Sequence, residues 1–166
     1  MTIIRLTKLL MVCSLAAFGL LVAYDNLADY NANYLFVQHV LSMDTVFPDN
    51  ALRHRAITDP LVWKAAYAAI IAAEALTGLI FAAAAIAMAR TLRAPAHLFE
   101  RAKRPVMVGA GLAFLLWFLG FMVVGGEWFA MWQSRMWNGQ EAAFRFYISV
   151  LAVTILVLQP DDDLRP

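Results

Sequence analysis

Apolar residues in this chain gather into four long runs separated by shorter polar stretches. The first reaches from Leu9 to Tyr24 behind Arg5 and Lys8, with Leu6 as a further apolar position. The second extends from Trp63 to Ala89, broken only by Lys64 at its edge and by Glu74. The third, Val106 to Val124, is uncharged and follows Pro105, a residue that suits the first turn of a helix. The fourth, Ala142 to Gln159, carries Arg145 near its start and stops at Pro160 and Asp161-Asp162-Asp163. At about 1.5 Å per residue, roughly twenty apolar residues cross a ~30 Å hydrocarbon core. The pattern therefore predicts four transmembrane helices, at about 7–24, 62–89, 106–126 and 142–159. The second is longer than the core and should tilt or protrude. No repeat, linker or low-complexity tract divides the chain, so the predicted fold is an all-α membrane protein, one four-helix bundle over residues 1–166.

The first run also has signal-peptide features, a positive flank and a small residue at Ala23. No small-x-small cleavage motif follows it, and its removal would leave three unsupported spans. Leu10-Met-Val-Cys13 is a poor lipoprotein site, because Val12 is bulky where a small residue is wanted.

The segments between runs one and two and between runs three and four have patterns of their own. From Asp25 to Met43, the residues Leu27, Tyr30, Tyr34, Val37 and Leu41 recur at steps of three and four. That spacing predicts an amphipathic helix at the membrane surface or capping the bundle. Phe47-Pro48-Asp49-Asn50 reads as the turn that ends it. Asp59-Pro60 reads as an N-cap and first helical position for the second span. The second segment, from Gly125 to Glu141, holds Trp128, Trp132 and Trp137. Trp128 and Trp132, four apart, would share a helical face. Tryptophan favours membrane interfaces, so an aromatic belt and a ligand or partner groove are both open readings.

Composition agrees with the bilayer: 63% of residues are hydrophobic and 15% charged, against about half and a quarter in soluble domains. The net charge of +1 gives no basis for a nucleic-acid partner. The lone Cys13 rules out an intrachain disulfide and is expected to pack as a small hydrophobe. Arg5, Lys8, Arg90, Arg93, Arg101, Lys103, Arg104 and Arg165 fall on one side of the four spans. Arg53, Arg55, Lys64, Arg135 and Arg145 fall on the other. The denser group, concentrated in one short loop, is expected to be cytoplasmic, with both termini inside and the two patterned segments outward. The expected location is a bacterial inner membrane.

One residue type looks out of place. Glu74 lies near the middle of the second run, where a charge costs about 2.5–3.5 kcal/mol on insertion scales. It should therefore face the other helices, protonated or paired, with Ser14 and Tyr67 as possible partners. Gly78, Ala82, Ala85 and Ala89 continue its face as a row of small residues that permits close helix contact. A structural hydrogen bond and a proton, cation or ligand contact are both open for it. In the outward layer, Asp25, Asn26, His39, Glu127, Trp128, Trp132, Arg135 and Trp137 form a candidate binding set. One or more ion pairs between the two segments are expected among Asp25, Asp29, Glu127, Arg135 and Arg145. Gly125-Gly126 should break the helix or allow close backbone approach. His39, His54 and His97 all lie outside the runs, which argues against a bundle haem. No nucleophile–base, zinc, or phosphate-loop motif occurs, so no catalytic residue, metal or cofactor is assigned. Gly109-Ala-Gly111 lies in an apolar helix and reads as a packing feature.

Several stretches together carry a resemblance: Asp25-Asn26, NYLFVQHVLSMDT from Asn33 to Thr45, Arg55-Ala-Ile57, GFMVVGGEWFAMWQS from Gly120 to Ser134, Trp137-Asn-Gly-Gln140 and Phe144-Arg-Phe146. They resemble the bacterial small integral membrane proteins grouped as DUF2165. The resemblance runs over nearly the whole chain and implies a four-helix inner-membrane protein, without implying an activity. Two functions follow as expectations. The leading one is a non-catalytic accessory or scaffold component whose tryptophan-rich face holds lipid, a membrane-protein partner or a second copy. The other is a small-molecule (quinone-like) or proton/ion-handling protein that uses Glu74 and the outward Glu/Arg/Trp cluster.

Overall fold

The computed structural model describes residues 2–162; Asp163 and Arg165, both used in the sequence argument, lie outside the described residues. Helix α1 covers Thr2–Ala28, α2 Tyr30–Ser42, α3 Pro60–Arg90, α4 Ala96–Ala102, α5 Arg104–Phe114 and α6 Gln140–Val157. Helix α5 continues without a break into a π-helical segment, Leu115–Trp128. Short 3-10 turns occupy Ala51–Arg55 and Met131–Gln133, and there is no strand among the described residues. Four helices are long and apolar enough to cross a membrane: Thr2–Ala28, Pro60–Arg90, Ala96–Trp128 and Gln140–Val157. The first three each contain an apolar run whole, and the fourth contains its run up to Val157.

The helix starts follow local chemistry. The Asp59 carboxylate accepts a hydrogen bond from the Leu61 amide at 2.8 Å, and Pro60 is the first residue of α3. Pro105 sits in the first turn of α5. Two turns end without glycine: Met43 and Ala130 both adopt left-handed backbone, at φ 51° and 53°. Such a conformation costs a non-glycine residue roughly 1–2 kcal/mol. Both side chains are buried in one small apolar cluster with Val40, Val46, Phe129 and Met131. Packing of the two loop segments against each other offsets that cost.

Two chain ends gather on one side. Lys8 near the start of α1 bonds Asp161 just after α6, and Arg5 reaches carbonyls at Leu92, Ala94 and Asp162. This is called the termini side, and the opposite one the loop side. Helix α1 packs most extensively on α3, α3 on α5, and α6 on the π segment, α5 and α1. Helices α1 and α3 approach closely at Gly19, where an added Cβ would lie 2.9 Å from Gly78 Cα. Gly109 makes room for the Phe81 ring, whereas a side chain at Gly111 would meet open space. The glycine pair of the third span is therefore half packing and half surface.

Three expectations need correction. The amphipathic helix does not begin at Asp25, because Asp25 to Ala28 belong to α1 and the break falls at Asp29. The apolar period therefore changes phase: Leu27 and Tyr30 are exposed, while Val37 and Val40 are buried. Val37 packs with Tyr67 and Ile71 of α3. Trp128 and Trp132 do not share a helical face, since the helix ends at Trp128 and Ala130 reverses the chain before Trp132. Cys13 is exposed on α1 rather than packed inside.

Candidate functional site

In the π segment the burial pattern advances in steps of four and five, from Leu116-Trp117 through Phe121-Met122 to Gly125-Gly126. That step matches the wider i→i+5 turn of a π-helix, seen where the Phe129 amide donates to the Val124 carbonyl at 3.0 Å. Nothing in the local sequence explains why this stretch adopts it. Its effect is to bring Trp117 and Phe121 onto one wall of a cavity of about 330 Å³. The other walls come from α1 (Val22, Asp25, Asn26), α2 (Asn33, Phe36, Val37), α3 (Tyr67, Ile70, Glu74) and the start of α6 (Ala142, Ala143, Phe146), with Gly139 just before it. A cavity of this size falls in the range of small-molecule sites, which are mainly apolar with a few placed polar groups.

The polar groups form one chain of hydrogen bonds. Asn33 Nδ2 donates to Asn26 Oδ1 at 2.6 Å, and Asn26 Nδ2 donates to Glu74 Oε2 at 2.7 Å. The Tyr67 hydroxyl donates to the Asn26 backbone carbonyl at 2.9 Å. Glu74 is 3% exposed and Asn26 6%. Glu74 therefore faces the other helices, as its charge requires, and its partner is an asparagine from the last turn of α1. Ser14 is not involved, since its hydroxyl is exposed and donates to the Leu10 carbonyl in its own helix. A buried network in which every member is bonded fixes one arrangement of the side chains it joins.

The level of Glu74 also differs from its position in the run. Asn26 stands 21 residues beyond Arg5 on α1, about 31 Å along the helix. That is nearly a whole hydrocarbon thickness from the termini side. Helix α3 overshoots α1 on the loop side, and α2 packs on the overshoot through Val37 against Tyr67 and Ile71. The middle of the apolar run is thus not the middle of the helix stack.

Above the cavity, each tryptophan of the second segment meets a residue of the first. Trp137 stacks on His39, ring centroids 4.5 Å apart and planes at 16°. His39 Nδ1 in turn lies 2.7 Å from Asp44 Oδ2. Trp132 meets Phe47 edge to face at 6.0 Å. The Arg55 guanidinium lies 4.3 Å above the Trp128 ring, and its Nη1 donates to the Trp128 carbonyl. Neutral hydrogen bonds complete the join: Thr45 donates to Ser134, and Gln133 Oε1 accepts from the Phe47 amide and from Asn50 Nδ2.

The expected ion pairs between the segments are absent among the described residues. Glu127 and Arg135 are exposed without an ionic partner there, and Arg145 pairs with Glu141 one turn away on α6. An exposed pair gains at most about 1 kcal/mol, too little to set loop geometry. Gly126 does not break the helix. It lets the Gln140 side-chain amide approach, where a Cβ would clash. The structure thus splits the sequence-derived set. Glu74, Asn26 and Asp25 share the cavity, His39 and Trp137 roof it through Phe36, and Glu127, Trp128, Trp132 and Arg135 stand on the outer surface. Sequence reasoning missed Asn33, Phe36, Trp117, Phe121 and Phe146. The seven-residue spacing of Asn26 and Asn33 was the available signal for the first.

On the termini side, Arg5, Lys8 and Lys103, three of the residues read as orienting charges, are buried, whereas Arg90, Arg93, Arg101 and Arg104 are exposed. Lys8 and Lys103 both contact Asp161 Oδ2, at 2.9 and 2.8 Å, and Lys103 also bonds Glu100. Burial alone would raise the Asp161 carboxyl, but the hydrogen bonds from Lys103 and Lys8 outweigh it and hold the group below the usual carboxylate range. Arg5 lies over the Phe99 ring at 5.0 Å.

Among the described residues no three His, Cys, Asp or Glu side chains come together in a way that would hold a metal ion. No curated protein and no solved structure matches the chain. The family model described as "Predicted small integral membrane protein (DUF2165)" matches residues 4–160, and the chain belongs to that family.

Proposed function

We propose that this protein is a non-catalytic membrane protein that holds a small amphipathic molecule in the cavity beneath its loop-side cap. The observation that carries this reading is the pairing of one buried carboxylate network, Glu74–Asn26–Asn33, with walls of Phe36, Trp117, Phe121 and Phe146. Such a site offers a ligand an apolar surface for its body and a fixed polar anchor for its head. In this reading the four apolar helices form a bundle across a bacterial inner membrane. Helix α2 rests near the outer surface and the lysine- and arginine-rich termini side is cytoplasmic. The test is purification in a mild maltoside detergent followed by native mass spectrometry. A retained small molecule should be present on the wild type and lost when Ala142, exposed at the cavity wall, is replaced by Trp. Equal mass adducts on both proteins would remove the cavity reading.

A second reading is an accessory or scaffold component. Its supporting observation is that Trp128 and Trp132 are half exposed and Met136 is 78% exposed, all within one short stretch of chain. Exposed large apolar side chains suit a partner or lipid headgroup layer. A stoichiometric partner that dissociates on Trp132→Ala, with the cavity empty, would favour it.

A further inference from the structure

We propose that the molecule taken by the cavity is a lipophilic amine or quaternary ammonium: a cationic head on an apolar body. The inference rests on the reading of the cavity as a small-molecule site and adds the sign of the ligand's charge.

Three observations select a cation. First, the charged side chains lining the cavity are Asp25 and Glu74, and no Lys, Arg or His among the described residues lines it. A carboxylate, phosphate or sulfate head would find no counter-ion there and would face two acids. Second, the hydrogen bonds of the network run in one direction. Asn33 donates to Asn26 and Asn26 donates to Glu74, so Glu74 is the terminal acceptor, with its Oε1 left without a protein donor among the described residues. The Tyr67 hydroxyl is committed to the Asn26 carbonyl. What an ionised Glu74 offers is an acceptor and a negative charge: an ammonium N–H uses both, a quaternary ammonium the charge alone, and a ligand that itself brings only carbonyl acceptors, such as a quinone, uses neither. Third, the walls are aromatic. Phe36 and Phe121 are near-parallel, with centroids 6.1 Å apart, and Trp117 and Phe146 meet edge to face at 5.5 Å. Ring faces carry negative electrostatic potential and attract a desolvated ammonium, most strongly at Trp. The same faces repel an anion. Asp25 is exposed at the cavity wall near the loop side, where it attracts a cation during entry.

The experiment uses the purified full chain in neutral maltoside detergent. Binding of decyltrimethylammonium, decylamine, decanol and decanoate, each below its micellar concentration, is measured by calorimetric titration. Saturable binding of the two cationic probes is expected, about tenfold or more tighter than decanol, with no measurable binding of decanoate. Glu74→Gln should weaken the cationic probes about tenfold and leave decanol unchanged. Because Glu74 is buried, Asp25→Asn, at an exposed position, provides the independent arm: it should weaken the cations severalfold without loss of fold. If decanol and the cations bind alike in wild type and in Asp25→Asn, the cavity is a small-molecule site and the charge assignment is wrong. If decanoate binds more tightly than the cations, the assignment is likewise overturned. If no probe binds, and Ala142→Trp changes nothing in the native mass spectrum, the cavity reading falls with it.

Discussion

Gly19 and Gly78 face each other across the α1–α3 contact so closely that a Cβ on Gly19 would lie 2.9 Å from the Gly78 backbone. A Cβ on Gly78 would lie 2.7 Å from the Leu20 amide nitrogen. Backbone cannot yield as a flexible side chain can. Gly78→Leu should therefore destabilise the protein by about 1–3 kcal/mol, the usual range for overpacking. Thermal unfolding in detergent measures it. Gly111→Leu, in open space on the same scale, is the control and should leave the midpoint unchanged. Because Asn26 lies two turns beyond Gly19 on α1, the Gly78 variant should also loosen the Asn26–Glu74 bond.

Removing the amide at Asn26 tests the network itself. Asn26→Ala leaves Glu74 and Asn33 without the bonds they share with it. A buried polar group that loses its partner costs about 1–3 kcal/mol. A midpoint unchanged within error would show that water replaces the amide and that the network holds nothing in place.

Acid titration tests the knot on the termini side. The folded-state pKa of Asp161 is lowered, so its carboxylate contributes stability above its ordinary unfolded value. That contribution falls away as pH drops toward and through the lowered folded value. Asp161→Asn should remove this acid-dependent part of the stability and, by leaving Lys8 buried without its carboxylate, cost about 3–5 kcal/mol at neutral pH. Unfolding midpoints of the two proteins across pH 2 to 7, a range set about the ~3.9 carboxylate reference, should converge at the acid end.

The loop-side join depends on one neutral side chain. Gln133→Ala removes the acceptor of the Phe47 amide and of Asn50 Nδ2. Hydrogen exchange at Phe47 should accelerate about fivefold or more, in line with loss of about 1 kcal/mol. Trp132→Ala, which leaves those bonds intact, should not accelerate it.

Side-specific labelling tests the orientation. In a Cys13→Ala background, Met136→Cys should react with a membrane-impermeant thiol reagent from outside intact cells, and His97→Cys only after the membrane is opened. Both positions are exposed. The reverse pattern would place the termini side outside.

The four long apolar helices were legible because a run of apolar residues is its own signal, and Asp59-Pro60 marked the start of α3 to the residue. The inward placement of Glu74 followed from the cost of its charge. Its partner did not, because Asn26 lay beyond the first apolar run and read as part of the outward surface segment. A helix continues through polar residues when neighbours satisfy them, and nothing local says whether they will. The αL turns at Met43 and Ala130 were invisible for a related reason: glycine normally announces such a turn, and here tertiary packing enforces it. Arg5, Lys8 and Lys103 looked like solvated orienting charges, and only the fold shows that they share a buried centre with the stretch after α6.

That shared centre sets an order of events. Lys8 and Lys103 are made well before Asp161, so three spans can be laid into the membrane while both ammonium groups still lack that common carboxylate. When Asp161 reaches them, its carboxylate joins Glu100 in balancing the two ammonium groups, and α1 is tied to the stretch after α6. The two lysines thus serve as a latch between α1 and the stretch after α6, and the latch can close only once α6 is in place.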